Sequence, residues 1–278
     1  MHGPRTVLRN ARYALPRAIE RFTAGPGPAA AARRCVRLNR GGRGATLGYF
    51  HAAAAGPEEI VVANMTVAAL FKERSGDVHL SIKAPPLGFD AESIRSVAEA
   101  AAAAGLGLIF DAHALDHAEP TLAAASALLP DYPGTGIVLP ARWRRSLQDA
   151  GNVRQSTARI RLVKGEWPDR DWGEADVTAN YLALARRLAG RAAPVAVATH
   201  DPDLAERALG LLLAAGTPCE LEQLRGLPGR RTAAVARRLG VPVRIYVPFG
   251  PGWWPYAVDK ALARPHLLSW TIRDLLGR

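Results

Sequence analysis

The chain of 278 residues has only two cysteines, Cys35 and Cys219, and they have no metal-binding spacing. So few cysteines do not suggest a disulfide scaffold, and a reducing cytoplasm is the compartment that fits. The sequence also lacks an apolar run of membrane-spanning length, so we predict no integral membrane segment. With 49% hydrophobic residues, the chain is long enough to bury a substantial core.

Motifs of several other function classes are missing as well. The glycine-rich segment 41–48 lacks the GK[ST] ending of a phosphate-binding loop, and we interpret it as a turn. The net charge of +11 would suit a nucleic-acid partner, but no recognition motif accompanies it and the arginines are spread over predicted helix faces. A solvated basic surface is the better interpretation, and a nucleic-acid-binding barrel is a remote alternative.

The first 19 residues contain arginines but no acidic residue, as a transit peptide does. They are also interrupted by proline and continue directly into the region that follows. We therefore predict a lead-in helix at the start of a single domain rather than a cleaved leader.

Apolar runs that end in polar residues alternate with helical patterns along most of the chain. Residues 91–105, 177–190, 203–216 and 230–240 have apolar residues at three-and-four spacing and a glycine at the end, as helices do. We predict seven strands near 78–84, 106–111, 135–140, 158–164, 194–199, 217–223 and 243–248, with an eighth at 46–50 or 59–64.

Strands and helices that alternate in this way predict a parallel sheet with right-handed crossovers. The length suits one (β/α)8 barrel, a fold that packs its interior with branched side chains and has its chemistry at the carboxyl ends of the strands. Polar residues lie at those predicted ends, namely Lys83, Asp111, Arg161, Thr199, His200 and Tyr246.

The run from Arg161 to Gly165 closes the fourth of the predicted strands with two cations and a glycine. A bare backbone beside fixed positive charge can lie against a phosphate or an electron-rich ring. A solvated charge at a strand end is the ordinary alternative for either cation.

Several segments of the sequence resemble those of a known family. Six segments follow, in order and at similar spacing, the signature segments of the single-domain proline dehydrogenases: SIKAPPLGFD, DAHALDHAEPTL, RLVKGEW, ATHD, CELEQLRGL and RIYVPFGPGWWPY. The resemblance covers roughly residues 15–270, with 1–45 similar to the family's N-terminal helical region. It implies one domain over 1–278, a distorted (β/α)8 TIM-type barrel that binds FAD and oxidises L-proline to the cyclic imine by hydride transfer.

Several site residues are implied by the same resemblance. Arg161 is expected near the flavin N5, where a guanidinium stabilises the negative charge that arrives with a hydride. Lys83 and Asp111 match a lysine and an aspartate beneath the substrate, so these three are the predicted catalytic residues, although a structural ion pair is an alternative. The implied cofactor contacts are Arg161, Val163, Lys164, Gly165, Thr199, His200 and Glu220. The implied substrate contacts include Leu224, Tyr246 and Tyr256. The ordinary alternative is that these side chains belong to the hydrophobic core.

The sequence departs from the family at positions that bear on the substrate. Asp259 and Lys260 replace two arginines that in the family bind the proline carboxylate, and one lysine does not reproduce a paired guanidinium fork. Glu166 and Trp167 replace a small residue and a tyrosine. These changes predict an anionic pocket, and hence an amine or imino-acid substrate that lacks a free carboxylate or carries an extra basic group.

Other departures concern the cofactor. Pro140 replaces a family glutamine that touches the flavin ring, Ala263 replaces a glutamate, and an EFQ segment becomes Glu220-Leu221-Glu222. We predict FAD-dependent oxidation of a C–N bond in a cyclic or secondary amine other than free proline, in specialised metabolism. The alternative is a non-catalytic or flavin-free barrel that serves as a binding scaffold. No motif names the electron acceptor.

A metal site is a further interpretation, because His113 and His117 are four residues apart with Asp111, Asp116 and Glu119 nearby. There is no HExxH motif, and the family that the chain resembles has no metal in this segment. We therefore predict that no metal binds here.

Overall fold

The computed structural model describes residues 26–74, 76–172 and 176–254. Eight strands close into a barrel in which all neighbours are parallel and the order follows the chain. The strands are β1 (Gly44–Tyr49), β2 (Val78–Ile82), β3 (Gly107–Phe110), β4 (Gly136–Pro140), β5 (Arg159–Val163), β6 (Val195–Ala198), β7 (Cys219–Leu224) and β8 (Val243–Phe249). The predicted (β/α)8 barrel is confirmed.

Eight α-helices accompany the strands in this part of the chain. They are α1 (Pro28–Arg40), α2 (Pro57–Ala69), α3 (Ala91–Ala103), α4 (Ala118–Leu128), α5 (Ser146–Asn152), α6 (Val177–Leu188), α7 (Pro202–Ala214) and α8 (Arg230–Arg238). Short 3-10 turns occupy Pro85–Leu87, Leu115–His117 and Arg170–Trp172. The four predicted helices are confirmed as α3, α6, α7 and α8, whereas α4 and α5 were not predicted.

The eighth strand is the first of the two alternatives, because β1 spans Gly44–Tyr49 and residues 59–64 lie inside α2. The α2 helix has the ordinary features of a helix start, with Pro57 in its first turn beside Glu58 and Glu59. The turn predicted for 41–48 is limited to its beginning, where Gly42 has a φ of 69°. The rest of that segment is strand.

Helix α1, the first helix within the described residues, packs against β1 and β8. Its buried face includes Ala31, Ala32 and Cys35, and the thiol of Cys35 is free. This helix lies within the region 1–45 that is predicted to be helical, and the extent of that region stays a prediction. The lead-in helix proposed for the first 19 residues lies outside the described residues, and the single-domain boundaries 1–278 stay a prediction.

The two faces of each strand have different chemistry. On β5, Ile160 and Leu162 are fully buried in the apolar layer between strands and helices. Arg159 and Arg161 alternate with them and point into the barrel, where both pair with glutamates of β7. The barrel interior therefore carries charged side chains in addition to the branched apolar residues that the sequence predicts.

No helix within the described ranges is long and apolar enough to cross a membrane.

Candidate active site

A connected set of charged side chains lies inside the barrel toward the carboxyl ends of the strands, and Arg161 on β5 is at its centre. Only 4% of Arg161 is exposed. Its Nε donates to Glu222 Oε2 at 2.7 Å and its Nη2 donates to Glu222 Oε1 at 2.9 Å, which makes a bidentate pair between β5 and β7. Burial lowers the pKa of the guanidinium, but Glu222 and Asp111 outweigh burial and raise it, so Arg161 stays charged.

Asp111, which follows β3, joins this pair to two further elements. Arg161 Nη1 donates to Asp111 Oδ1 at 2.7 Å, and the Tyr246 hydroxyl donates to Oδ2 at 2.8 Å. Burial raises the pKa of the Asp111 carboxyl, but Lys83 and Arg161 outweigh burial and hold the pKa at about 2. Asp111 is therefore a carboxylate at neutral pH, and its geometry suits it to orient Arg161 and Tyr246 rather than to accept a proton.

Lys83, which follows β2, has its Nζ 3.4 Å from Asp111 Oδ2. The ammonium also donates to the Tyr49 carbonyl at 2.9 Å and lies 4.4 Å from the centre of the Phe50 ring. Burial lowers the pKa of Lys83, and Asp111 offsets only part of that effect. Lys83 is thus the cation of this set that gives up a proton most readily.

Tyr246 on β8 completes the arrangement from the opposite side. Its ring lies 5.2 Å from Arg161 Cζ, and burial, followed by Asp111, raises the pKa of the phenol well above its ordinary value. A Cβ on Gly48 of the neighbouring β1 would overlap the Tyr246 hydroxyl, so glycine is required there. On the same strand, Thr46 Oγ1 donates to Glu222 Oε1 at 2.9 Å. We call Thr46, Lys83, Asp111, Arg161, Glu222 and Tyr246 the upper network.

The loop after β5 contains the residues that are candidates to hold the phosphate part of a cofactor. Gly165 has a φ of 90°, and a Cβ there would come within 2.9 Å of Pro140 Cβ and 3.2 Å of Arg142 Cβ. Lys164 is 40% exposed and its Nζ lies 3.2 Å from Asp201 Oδ2. A bare backbone in a left-handed conformation beside an accessible ammonium fits an anionic group, so this donor set fits the FAD that the resemblance implies. Val163, at the end of β5, is half-buried beside them.

Thr199 and His200 lie at the end of β6, where both are used in local hydrogen bonds. Thr199 Oγ1 accepts from the Asp201 N–H at 3.1 Å. The Leu224 N–H donates to His200 Nε2 at 3.0 Å, and His200 Nδ1 lies 2.6 Å from the Pro228 carbonyl. Because Nε2 accepts, Nδ1 carries the proton and donates, so the ring ties the end of β6 to the end of β7.

Only some of the predicted substrate residues lie in the part of the chain that the structure describes. Leu224 lies at the end of β7 and is partly buried, as is Glu166 after β5. Trp167 is 44% exposed, and its carbonyl accepts from Trp143 Nε1 at 3.0 Å. Tyr256, Asp259 and Lys260 lie outside the described residues, as does Ala263.

The structure does not bring Glu220 to the other predicted site residues. Glu220 is near the start of β7, in a second cluster at the amino-terminal end of the barrel, where it pairs with Arg159 and with Arg244 Nε at 2.6 Å. Arg244 Nη2 also donates to Asp77 at 2.6 Å. His79 on β2 has its Nε2 3.9 Å from Asp77 Oδ1. We call Asp77, His79, Arg159, Glu220 and Arg244 the lower network. Glu220 and Glu222 are two positions apart on the same strand, so both point inward but at different heights.

Glu222 is the functional candidate that sequence reasoning treated only as a loss from the family pattern. A usable signal was present, because a residue two positions after Glu220 on the same strand faces the same interior as Arg161. Thr46 and Gly48 were also missed, since small residues in a strand carry no distinctive pattern.

The alternative metal site receives no support from the described side chains. Among them, no three histidine, cysteine or acidic residues form a group that could hold a metal ion. His113 lies near Lys83, and burial followed by the charge of Lys83 lowers the pKa of its imidazole to about 4.

Comparisons with known proteins point to one family. The family model for proline dehydrogenase matches residues 37–252. Proline dehydrogenase 1 of Bacillus subtilis (strain 168) is 26% identical over 276 residues, which cover 93% of this chain and 90% of that protein. Proline dehydrogenase of Deinococcus radiodurans is 28% identical over 152 residues, which cover 51% of this chain and 47% of that protein.

Solved structures support the fold. Proline utilization A (PutA) from Bdellovibrio bacteriovorus, inactivated by N-propargylglycine, superposes with a TM-score of 0.74 at 18% identity over 87% of this chain and 32% of that chain. PutA from Corynebacterium freiburgense gives a TM-score of 0.68 at 18% identity over 99% of this chain and 34% of that chain. The chain therefore spans about a third of these PutA chains. On the family match, the protein belongs to the proline dehydrogenase family of oxidoreductases.

Proposed function

We propose that this protein is an FAD-dependent oxidoreductase that oxidises the C–N bond of a cyclic or secondary amine or a proline derivative, and that free L-proline is a poor substrate. The observation that carries the proposal is the upper network, which gathers Lys83, Asp111, Arg161 and Tyr246 at one end of the barrel. Barrel enzymes assemble their chemistry at this end of the strands. The free cysteines Cys35 and Cys219 agree with a cytoplasmic location.

The residues of β5 and its loop are assigned to the cofactor. When bound, FAD supplies the acceptor for the hydride that leaves the carbon next to nitrogen as C–N becomes C=N. Arg161 places a permanent positive charge in a buried site, which favours negative charge that develops beside it. Lys164 and Gly165 offer the ammonium and the bare backbone for the phosphates.

Lys83 and Asp111 are assigned to the substrate amine. Oxidation of a secondary amine to an imine releases the N–H hydrogen as a proton. We assign that proton to the Lys83 Nζ, which accepts it after the ammonium has released its own proton, because burial lowers the Lys83 pKa whereas the Asp111 pKa of about 2 makes the carboxylate a weak base. Asp111 holds Lys83, Tyr246 and Arg161 in fixed positions around the substrate.

The charge balance of the upper network supports a substrate without a free carboxylate. Its two cations, Lys83 and Arg161, are matched by two carboxylates, Asp111 and Glu222. Glu166 follows nearby on the β5 loop, and the sequence replaces the family's two carboxylate-binding arginines. A substrate carboxylate would therefore enter a site whose described cations are already paired.

The test begins with the absorption spectrum of the purified protein, with and without added FAD, in which flavin bands are expected. The flavin-loaded protein is then mixed without oxygen with L-proline, proline amide, proline methyl ester and pyrrolidine, and flavin bleaching is followed. Two lost charge-assisted hydrogen bonds of roughly 1.5–3 kcal/mol each predict that L-proline reacts about a hundredfold to ten-thousandfold less efficiently than the preferred amine.

Fastest bleaching by L-proline would overturn the proposed specificity while leaving the cofactor assignment intact. A protein that takes up no FAD would overturn the enzyme proposal and favour the binding scaffold. The variant Asp259→Arg with Lys260→Arg is the matched comparison, and it is expected to gain proline oxidation.

A further inference from the structure

Glu222 is a fully buried carboxylate in the middle of the proposed site. Only 2% of the residue is exposed. Both of its oxygens accept hydrogen bonds from Arg161, and Oε1 also accepts from Thr46. The resemblance of this segment to the family's EFQ motif implies glutamine at this position in the family, so the carboxylate distinguishes this chain from that motif.

A glutamine at position 222 has the same length and one acceptor oxygen, so it preserves part of the contact with Arg161. It does not supply a negative charge. The distinguishing contribution of Glu222 is therefore electrostatic, and a charge 2.7 Å from a buried guanidinium acts in a poorly screened environment.

The guanidinium of Arg161 is clamped on two sides. Nε and Nη2 face Glu222, and Nη1 faces Asp111. With all four groups ionised, Lys83 and Arg161 balance Asp111 and Glu222, whereas a neutral residue at position 222 would leave one net positive charge. That positive charge would favour the addition of electrons or of an anion to a nearby ring.

We propose that Glu222 is a positioning residue that fixes the guanidinium of Arg161 and lowers the affinity of the bound flavin for electrons and anions. The proposal rests on the proposed function, because it assigns Arg161 to the cofactor. It adds a specific role for Glu222 that acts through Arg161.

The test uses Glu222→Gln in the full FAD-loaded protein, with sulfite as the anionic probe of the flavin. Glu220→Gln is the matched control, because it removes the same buried charge two residues earlier on the same strand, in the lower network. We expect Glu222→Gln to bind sulfite about tenfold more tightly, with a midpoint potential about 30 mV higher for a two-electron couple. Glu220→Gln is expected to change sulfite affinity less than twofold.

A merely structural role for Glu222 predicts another result, in which both variants lose stability and neither changes sulfite affinity. That result, in a protein that binds FAD and oxidises amines, overturns the inference and leaves the proposed function intact. Equal changes in both variants also overturn it, since the effect would then follow from barrel charge in general.

A second measurement needs no flavin. Urea unfolding of Glu222→Gln, Arg161→Gln and the double variant is expected to give an unfolding constant for the double variant that departs at least tenfold from the product of the single effects. Glu222→Gln combined with Arg191→Gln is the control and is expected to be additive, because Arg191 donates only to backbone carbonyls that Glu222 does not contact. If the effects of Glu222→Gln and Arg161→Gln are additive, the positioning role is overturned. If the protein does not bind FAD, the proposed effect of Glu222 on the flavin is overturned together with the proposed function.

Discussion

The upper and lower networks are built from the same parts at opposite ends of one barrel. In each, an arginine of β5 pairs with a glutamate of β7, as Arg161 with Glu222 and Arg159 with Glu220. The partners differ. The upper pair continues to Lys83, Asp111 and Tyr246 at the strand ends, whereas the lower pair is closed by Arg244. The same kind of ion pair therefore has titratable neighbours at the strand ends only in the upper network, which is where we propose the chemistry.

Buried ion pairs do not by themselves explain stability. The desolvation cost of each charge often equals or exceeds the Coulombic gain, but removal of one partner leaves an uncompensated charge at a cost of about 3–5 kcal/mol. Both networks therefore make the barrel sensitive to substitution. A substitution in the upper network is expected to change the rate of flavin reduction, whereas a substitution in the lower network is expected to change stability alone.

The largest expected effect comes from replacing one arginine in each network. Arg161→Met in the upper network should slow reduction of bound flavin about a hundredfold, because one preorganised stabilising group is lost. Arg244→Met in the lower network should lower the free energy of unfolding by about 3–5 kcal/mol, because Glu220 and Asp77 lose their shared partner. Stopped-flow reduction, normalised to bound flavin, is the measurement.

Arg244→Met is expected to leave that normalised rate within about twofold of the parent protein, since local disruption away from the reacting atoms does not alter transition-state stabilisation. If both variants slow reduction equally, the two networks are not functionally distinct.

A smaller effect is expected from two glycines of β1. In Gly48→Ala the new Cβ overlaps the Tyr246 hydroxyl and should push it from Asp111, with reduction slowed about tenfold. In Gly44→Ala the new Cβ lies 2.6 Å from Asp77 Oδ2 and 2.9 Å from Arg244 Cζ. We expect that variant to lose about 1–3 kcal/mol of stability by overpacking, with an unchanged rate per bound flavin.

Rate and urea unfolding are measured on both glycine variants. An unchanged rate in Gly48→Ala would show that the position of the Tyr246 hydroxyl does not matter for the reaction.

The smallest expected effect is that His79 and Asp111 lose their contributions to stability at different pH values. Burial, with Arg244 and Arg159 adding to it, lowers the pKa of His79 well below its ordinary value. The unfolded chain takes up this proton near pH 6.5, roughly the ordinary histidine pKa, whereas the folded chain does not, so stability falls as the pH drops below that value. Asp111 has a folded pKa of about 2, so its stabilising contribution is present above about pH 4 and is lost as the pH falls toward 2.

The contribution of His79 should therefore be lost at a higher pH than the contribution of Asp111. His113, with a pKa of about 4, contributes with the same sign as His79, so His79→Gln is expected to remove about half of the stability slope between roughly pH 6 and 5. Urea unfolding across this range is the measurement. An unchanged slope in His79→Gln would contradict the buried, neutral assignment.

The sequence predicts the barrel well because its strands are apolar runs that end in polar residues, and seven of them are found where that pattern places them. The eighth was ambiguous because Val61, Val62 and Ala63 are apolar, although Pro57 before two glutamates indicates a helix start. The α4 helix, which is rich in alanine, and the seven-residue α5 have weak periodic patterns and were not predicted.

The site is predictable in part. Lys83, Asp111, Arg161 and Tyr246 meet because parallel strands bring their ends together, and this follows from topology. The positions of Glu220 and Glu222 do not follow from topology alone. Both face inward, and their separation of roughly 7 Å along a strand decides which network each joins. Which network each glutamate joins depends on its height along the barrel relative to Arg159 and Arg161, and the sequence alone does not give that height.

The most direct test of the account is a crystal structure of the protein reconstituted with FAD. The account predicts the isoalloxazine ring at the carboxyl ends of the strands in contact with Arg161, with Lys164 and Gly165 at the phosphates and the lower network unchanged. A flavin bound elsewhere, or beside Glu220, would contradict it.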